Sequence, residues 1–280
     1  MKSAVATISS DRLTAGISTI GAELQYLTTS DGHELLWDGD PAFWLGRAPI
    51  LFPVIGVLEG GCYRLDGKSY PMPKHGFARH STFDIAESAT DAATFRLTAS
   101  GATRSIYPFE FQLEIRFSVV GSTLTLVATI TNASDTSMPA SFGFHPAFCW
   151  PLPYGQPRDR HELNFESSEG APVRRIDQNG LLLAQRLPTP VVGNTLALRD
   201  ELFIADVLIF DGLVSRCVTY GAKVGPELEI NFADFPTLGV WTKPGAGFIC
   251  IEPWQGLSRG SALTGLTGAT ARIDTCFYGL

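Results

Sequence analysis

The sequence predicts an all-β protein, a large sandwich or barrel of antiparallel strands, and three observations carry that expectation. Apolar and polar residues alternate with period two over long stretches, turn-forming residues recur roughly every 8–12 residues, and helical periodicity is weak throughout. The alternation is clearest over residues 109–117, where Phe109, Phe111, Leu113, Ile115 and Phe117 share one face. Glu110, Gln112, Glu114 and Arg116 take the other. Successive side chains of a strand point to opposite faces, so this pattern suits a half-buried sheet.

A turn at Gly121-Ser122 leads into residues 123–131, which continue the alternation until Asn132-Ala133-Ser134-Asp135 ends it. The two runs therefore read as an antiparallel hairpin. Residues 13–17, 93–98, 217–220 and 227–232 read as shorter strands of the same kind. Residues 41–46 have room for one helical turn, and residues 258–266 are too rich in glycine to promise a helix. The 28 glycines and 18 prolines favour many turns over long helices. No repeat, low-complexity linker or shift of composition divides the chain, so residues 1–280 are expected to form a single domain.

With 45% hydrophobic and 18% charged residues, the chain has ample material for a core. The net charge is −7 and no cluster of Lys and Arg is present, which argues against a nucleic-acid partner. There is no basic amphipathic stretch for a membrane surface, no apolar leader at the start, and no apolar run of the roughly 20 residues that span a bilayer. Cys62, Cys149, Cys217, Cys250 and Cys276 are odd in number and contain no CxxC. Free buried thiols in a reducing compartment, the cytoplasm, are the expectation. The oligomeric state leaves no signature.

The informative segments are those where alternation breaks. Residues 44–56 are an apolar, proline-punctuated run containing a single cation, Arg47. Its planar fork suits sugar hydroxyls or a carboxylate, and backbone carbonyls would satisfy it equally well. Residues 71–80 hold His75, Arg79, Lys74 and His80 on a segment kept out of any ladder by Pro71, Pro73 and Gly76. His145 stands between Phe144 and Pro146, where an apolar setting and a carboxylate neighbour would tune its proton affinity in opposite senses. Glu252 ends an apolar strand, where a carboxylate must pair with a cation or do chemistry. Together with exposed Trp and Phe, which stack on the C–H faces of sugar rings, these groups point to a small polyhydroxylated ligand in a cleft. They do not by themselves specify a reaction.

Taken in order, the segments Glu34-Leu35-Leu36-Trp37, Arg47-Ala48-Pro49-Ile50-Leu51-Phe52-Pro53, His75-Gly76-Phe77-Ala78-Arg79, Phe144-His145-Pro146 and Cys250-Ile251-Glu252-Pro253-Trp254 resemble the galactose mutarotase-like aldose 1-epimerase family. The branch they resemble is the bacterial one that includes lactose-operon-associated proteins and hexose-6-phosphate mutarotases. The resemblance implies a β-supersandwich with an open cleft and a cofactor-independent enzyme with no metal. It implies Glu252 as general base, His145 as general acid, and Arg47, His75, Arg79 and Trp254 as sugar contacts. A sugar-contacting aspartate falls between residues 205 and 211, on Asp206 in preference to Asp211. Gly46 stands before Arg47 where relatives nearer galactose mutarotase carry Asn, so galactose specificity is not carried over.

Anomer exchange needs a proton taken from the C1 hydroxyl and one delivered to the ring oxygen, each positioned group contributing about 10²–10⁴-fold. A carboxylate and an imidazolium suffice. No phosphate-binding glycine loop and no HxH or HExxH spacing is present. Competing expectations are a non-catalytic carbohydrate-binding protein on the same fold, a sugar-phosphate mutarotase, a glycoside hydrolase, which needs a second carboxylate, and a cupin-like metal isomerase, whose His-rich strand is missing.

Overall fold

The hairpin anticipated from the alternation lies inside the largest sheet of the computed structural model, which describes residues 4–257 and 269–278. Strands Phe111–Val120 and Thr123–Asn132 pair antiparallel from Val120 opposite Thr123 onward. Phe111, Leu113, Ile115, Phe117 and Val119 are buried, and the residues between them are half-buried or exposed. Burying each such side chain contributes about 1.5–3 kcal/mol, so this one face fixes the strand's orientation.

The sheet has nine antiparallel strands in the order Thr195–Ala197, His161–Phe165, Cys217–Ala222, Glu227–Asn231, Ala269–Tyr278, Thr123–Asn132, Phe111–Val120, Ala92–Thr98 and Asp84–Ser88. A three-stranded sheet, Val5–Ser9, Leu13–Ser18 and Leu24–Thr29, contributes Ile8, Leu13, Ala15, Ile17, Leu24 and Leu27 to the same buried cluster.

A six-stranded sheet positions the site. Strand Phe248–Gln255 pairs with Thr237–Trp241 on one side and with both Phe142–Phe144 and Ala147–Cys149 on the other. Every residue from Phe248 to Trp254 is buried, so no polar face marks this strand. Period two still operates in space: Ile249 and Ile251 join the main core, whereas Cys250 and Trp254 belong to separate clusters on the other face.

Residues 41–46 form turns rather than a helix; the amides of Phe43 and Trp44 both donate to the carbonyl of Asp40. The α-helix Gly101–Ile106 was not anticipated. Its six residues are too few to show a period, and it starts on a capping box formed by Ser100 and Thr103. Residues 258–266 lie outside the described residues. Cys62, Cys149 and Cys250 are free thiols. No helix among the described residues is long and apolar enough to cross a membrane.

Candidate active site

Glu252 and His145 face each other because the sheet puts them in register. Gly143 pairs with Trp254 and Ala147 with Cys250, so continuing this antiparallel register sets His145 opposite Glu252. His145 occupies the break between the two short strands, where Pro146 spends its carbonyl on the amide of Ile251. The Nε2 of His145 lies 3.2 Å from Oε2 of Glu252, and both residues are buried, at 6% and 1% exposure. The contact is not aligned as a hydrogen bond, and neither Glu252 Oε2 nor His145 Nδ1 has a hydrogen-bond partner. Two unsatisfied polar atoms in so dry a place are costly unless a ligand completes them.

They open onto a cavity of about 310 Å³, room for one small ligand. Trp44, Trp241 and Trp254 supply aromatic walls, and Lys74, His75, Arg79 and Asp206 supply polar groups. The ring of Trp44 is 4.9 Å from that of His145, and Trp241 meets the same imidazole edge-on at 5.9 Å. Trp254 lies against Gly143 and Gly239: a Cβ there would come within 2.7 Å and 2.6 Å of its indole. Both glycines are demanded by this close approach.

His75 is held by unusual backbone geometry. Its φ is +64°, a region that non-glycine residues seldom enter. The gain is a double bond to Gly56, whose carbonyl accepts from the His75 amide at 2.9 Å and whose amide donates to His75 Nδ1 at 3.1 Å. Nδ1 is therefore an acceptor, which makes the ring neutral with its proton on Nε2. Next to it Gly76 is required outright, since a Cβ would fall 2.0 Å from the carbonyl oxygen of Phe52.

A profile of the aldose 1-epimerase family matches residues 4–259, nearly the whole chain. The chain belongs to the aldose 1-epimerase family. It is 33% identical over 261 residues to the chromosomal Protein LacX of Lactococcus lactis, covering 90% of this chain and 87% of that protein. Among solved structures it resembles the galactose mutarotase related enzyme of Lactobacillus acidophilus, with a TM-score of 0.91, 27% identity and coverage of 99% and 98%. It also resembles a galactose mutarotase-like protein of Lactobacillus casei, with a TM-score of 0.87, 31% identity and coverage of 98% and 99%. The all-β, galactose mutarotase-like fold is the one the sequence predicts.

In this aldose 1-epimerase family member the residues singled out from sequence divide into two groups. His145, Glu252, His75, Arg79, Asp206 and Trp254 all line the one cavity. Arg47 does not: its guanidinium donates to the carbonyl of Gln25, while its own amide donates to Glu23 Oε1 at 2.8 Å. The satisfied structural arginine allowed by the sequence is what the fold contains. Asp206 reaches the cavity on a residue of φ +62°, its carbonyl accepting from Arg175. Asp211 is taken by Arg174 at 2.6 Å and Arg186 at 2.8 Å and lies off the cavity.

Burial dominates the electrostatics. It pushes His145 down to about 3, with the positive charges of Arg79 and Lys74 acting in the same sense. It holds His75 well below the usual histidine range, His145 adding to the effect. It raises Glu252 well above the carboxylate range, against the pull of Lys74. Burial thus disfavours the charged form of each group, the imidazolium of His145 and the carboxylate of Glu252. Lys74 and Arg79 form no ion pair or side-chain hydrogen bond among the described residues, which leaves both free to meet a ligand.

Sequence reasoning did not assign Trp44 or Trp241 to the site. Both stand at segment ends where strand pattern gives way, and that position was the available signal. Ile176, Gly180 and Leu182 reach the cavity from an irregular loop with no period to read.

Proposed function

We propose that this chain is a mutarotase that interconverts the α and β anomers of an aldose by acid–base ring opening, without a cofactor. The observation that carries the reading is the His145–Glu252 contact at 3.2 Å on the wall of a cavity walled by tryptophans. The C1 hydroxyl oxygen and the ring oxygen of an aldose are bonded to the same carbon. An acid and a base that serve both must lie next to each other, and this pair does.

Glu252 takes the proton from the C1 hydroxyl while His145 delivers one to the ring oxygen. The C1–O5 bond opens to the aldehyde, the C1–C2 bond rotates, and the same two groups close the ring in exchanged roles. The starting state needs one proton on the pair, and burial, which disfavours the charged form of each group, supports that count. Moving that proton from Glu252 to His145 creates the active ion pair, and sugar hydroxyls in contact with both groups favour the transfer. His75 Nε2–H, Arg79 and Asp206 hold the hydroxyls, and the three indoles cover the apolar faces of the ring.

The unpaired Lys74 and Arg79 favour a second reading of the substrate, an aldose bearing a phosphate. Polarimetry on freshly dissolved α-anomers of free and phosphorylated aldoses tests both. Catalysed mutarotation of at least one is the expected result, and none across the panel would leave a carbohydrate-binding protein as the better account. We further take the chain to act in the cytoplasm as one domain, supported by the free thiols of Cys62, Cys149 and Cys250 and by a buried cluster running from Ile8 to Ile251.

A further inference from the structure

The residue behind the catalytic pair is a thiol. Cys250 lies two positions before Glu252 on the same face of strand Phe248–Gln255, and it is fully buried. One ligating atom from each of His145, Cys250 and Glu252 lies within 4.8 Å of the other two. Glu252 Oε2, the oxygen that faces His145 Nε2 at 3.2 Å, is buried and has no hydrogen-bond partner. We propose that His145, Cys250 and Glu252 form a three-ligand site for a thiophilic divalent cation of the zinc kind, whose occupancy inhibits the enzyme.

A nitrogen, a sulfur and a carboxylate oxygen are a donor set that zinc accepts, at bond lengths of about 2.0–2.3 Å in tetrahedral geometry. The His145–Glu252 separation of 3.2 Å matches the edge of such a tetrahedron, and the Cys250 thiol completes the group within 4.8 Å. His145 and Glu252 line the cavity, which gives the ion its way in. Binding exchanges the thiol proton, and the carboxyl proton where present, for the metal and releases both to water. The thiolate and carboxylate charges are then neutralised by the divalent cation, so no net charge is left in the dry interior. The bound ion occupies the lone pairs that both acid–base groups need, which is why it inhibits rather than assists. Cys250 itself takes no part in mutarotation.

The inhibition rests on the mutarotase reading; the binding does not. Titration of the whole protein with zinc is expected to give one tight site by calorimetry, and cobalt is expected to give a thiolate-to-metal charge-transfer band. Cys250→Ala is expected to abolish that band, weaken zinc binding and retain mutarotation that zinc no longer inhibits. Should Cys250→Ala fail to fold, Cys250→Ser and Glu252→Gln serve for the metal arm, each expected to weaken binding. Zinc bound equally well by these variants, or cobalt bound with no thiolate band, overturns the site. Wild-type mutarotation untouched by a saturating zinc concentration overturns the inhibition. If no sugar is turned over at all, the functional reading fails while the spectroscopic result still decides the site.

Discussion

His145 Nε2 sits 3.2 Å from Glu252 Oε2 because two adjacent strands of one sheet are in register there, and the contact is buried from water. Neighbouring backbones, rather than flexible loops, set this distance. Two side chains held this way by the flanking strands would need little reorganisation to act as an acid–base pair.

Glu252→Gln removes the proton acceptor while keeping the shape. Mutarotation is expected to fall by about 10²–10⁴-fold in a polarimetric assay. The same variant is expected to be more stable than the wild type, increasingly so above pH 4.5. Glu252 is raised in the fold above its unfolded value of 4.5, so the folded state keeps a proton that the unfolded chain gives up as pH rises. That difference destabilises the wild type progressively with pH, and the amide is free of it. Thermal unfolding at pH 4.5 and pH 8 measures the gap, and an unchanged gap would refute the account.

The pH dependence of kcat/KM is expected to show no inflection at the ordinary histidine value. Catalysis requires one proton on the pair, which is gained in excess only as pH falls toward about 3, the value for His145. It is lost only above the raised value of Glu252. An inflection near 6.5, the ordinary histidine value, would show that the imidazole is not held as described.

Gly239→Ala is expected to cost about 1–3 kcal/mol and to raise KM. Its Cβ would stand 2.6 Å from the Trp254 indole, which forms a wall of the cavity and has Gly143 on its other flank. Thermal unfolding and a kinetic titration with sugar check the two effects, and an unaltered variant would mean that the indole has room to move.

Asp206→Asn and Asp211→Asn are expected to separate function from stability. The first removes a charge on the cavity wall and should raise KM with little change in melting temperature. The second weakens charge-assisted bonds from Arg174 and Arg186 to a buried carboxylate, which should cost about 1–3 kcal/mol. The opposite pattern would reassign the two aspartates.

The sequence by itself determined the strand content and the order of the motif segments, and it singled out His145 and Glu252 as candidates for an acid–base pair. Alternation such as that of residues 111–119 reflects a face buried locally, and Phe144-His145-Pro146 and Glu252-Pro253-Trp254 are each chemically complete within a few residues. Only the tertiary structure decided that Arg47 is spent on Gln25, that Asp206 and not Asp211 reaches the cavity, and that Trp44 and Trp241 wall it. It also brought Cys250 behind the pair. The physical reason is that partners tens of residues away decide which side chains are taken up and which meet the cavity. Strand Phe248–Gln255, buried on both faces, carries no periodic mark of which side meets the ligand.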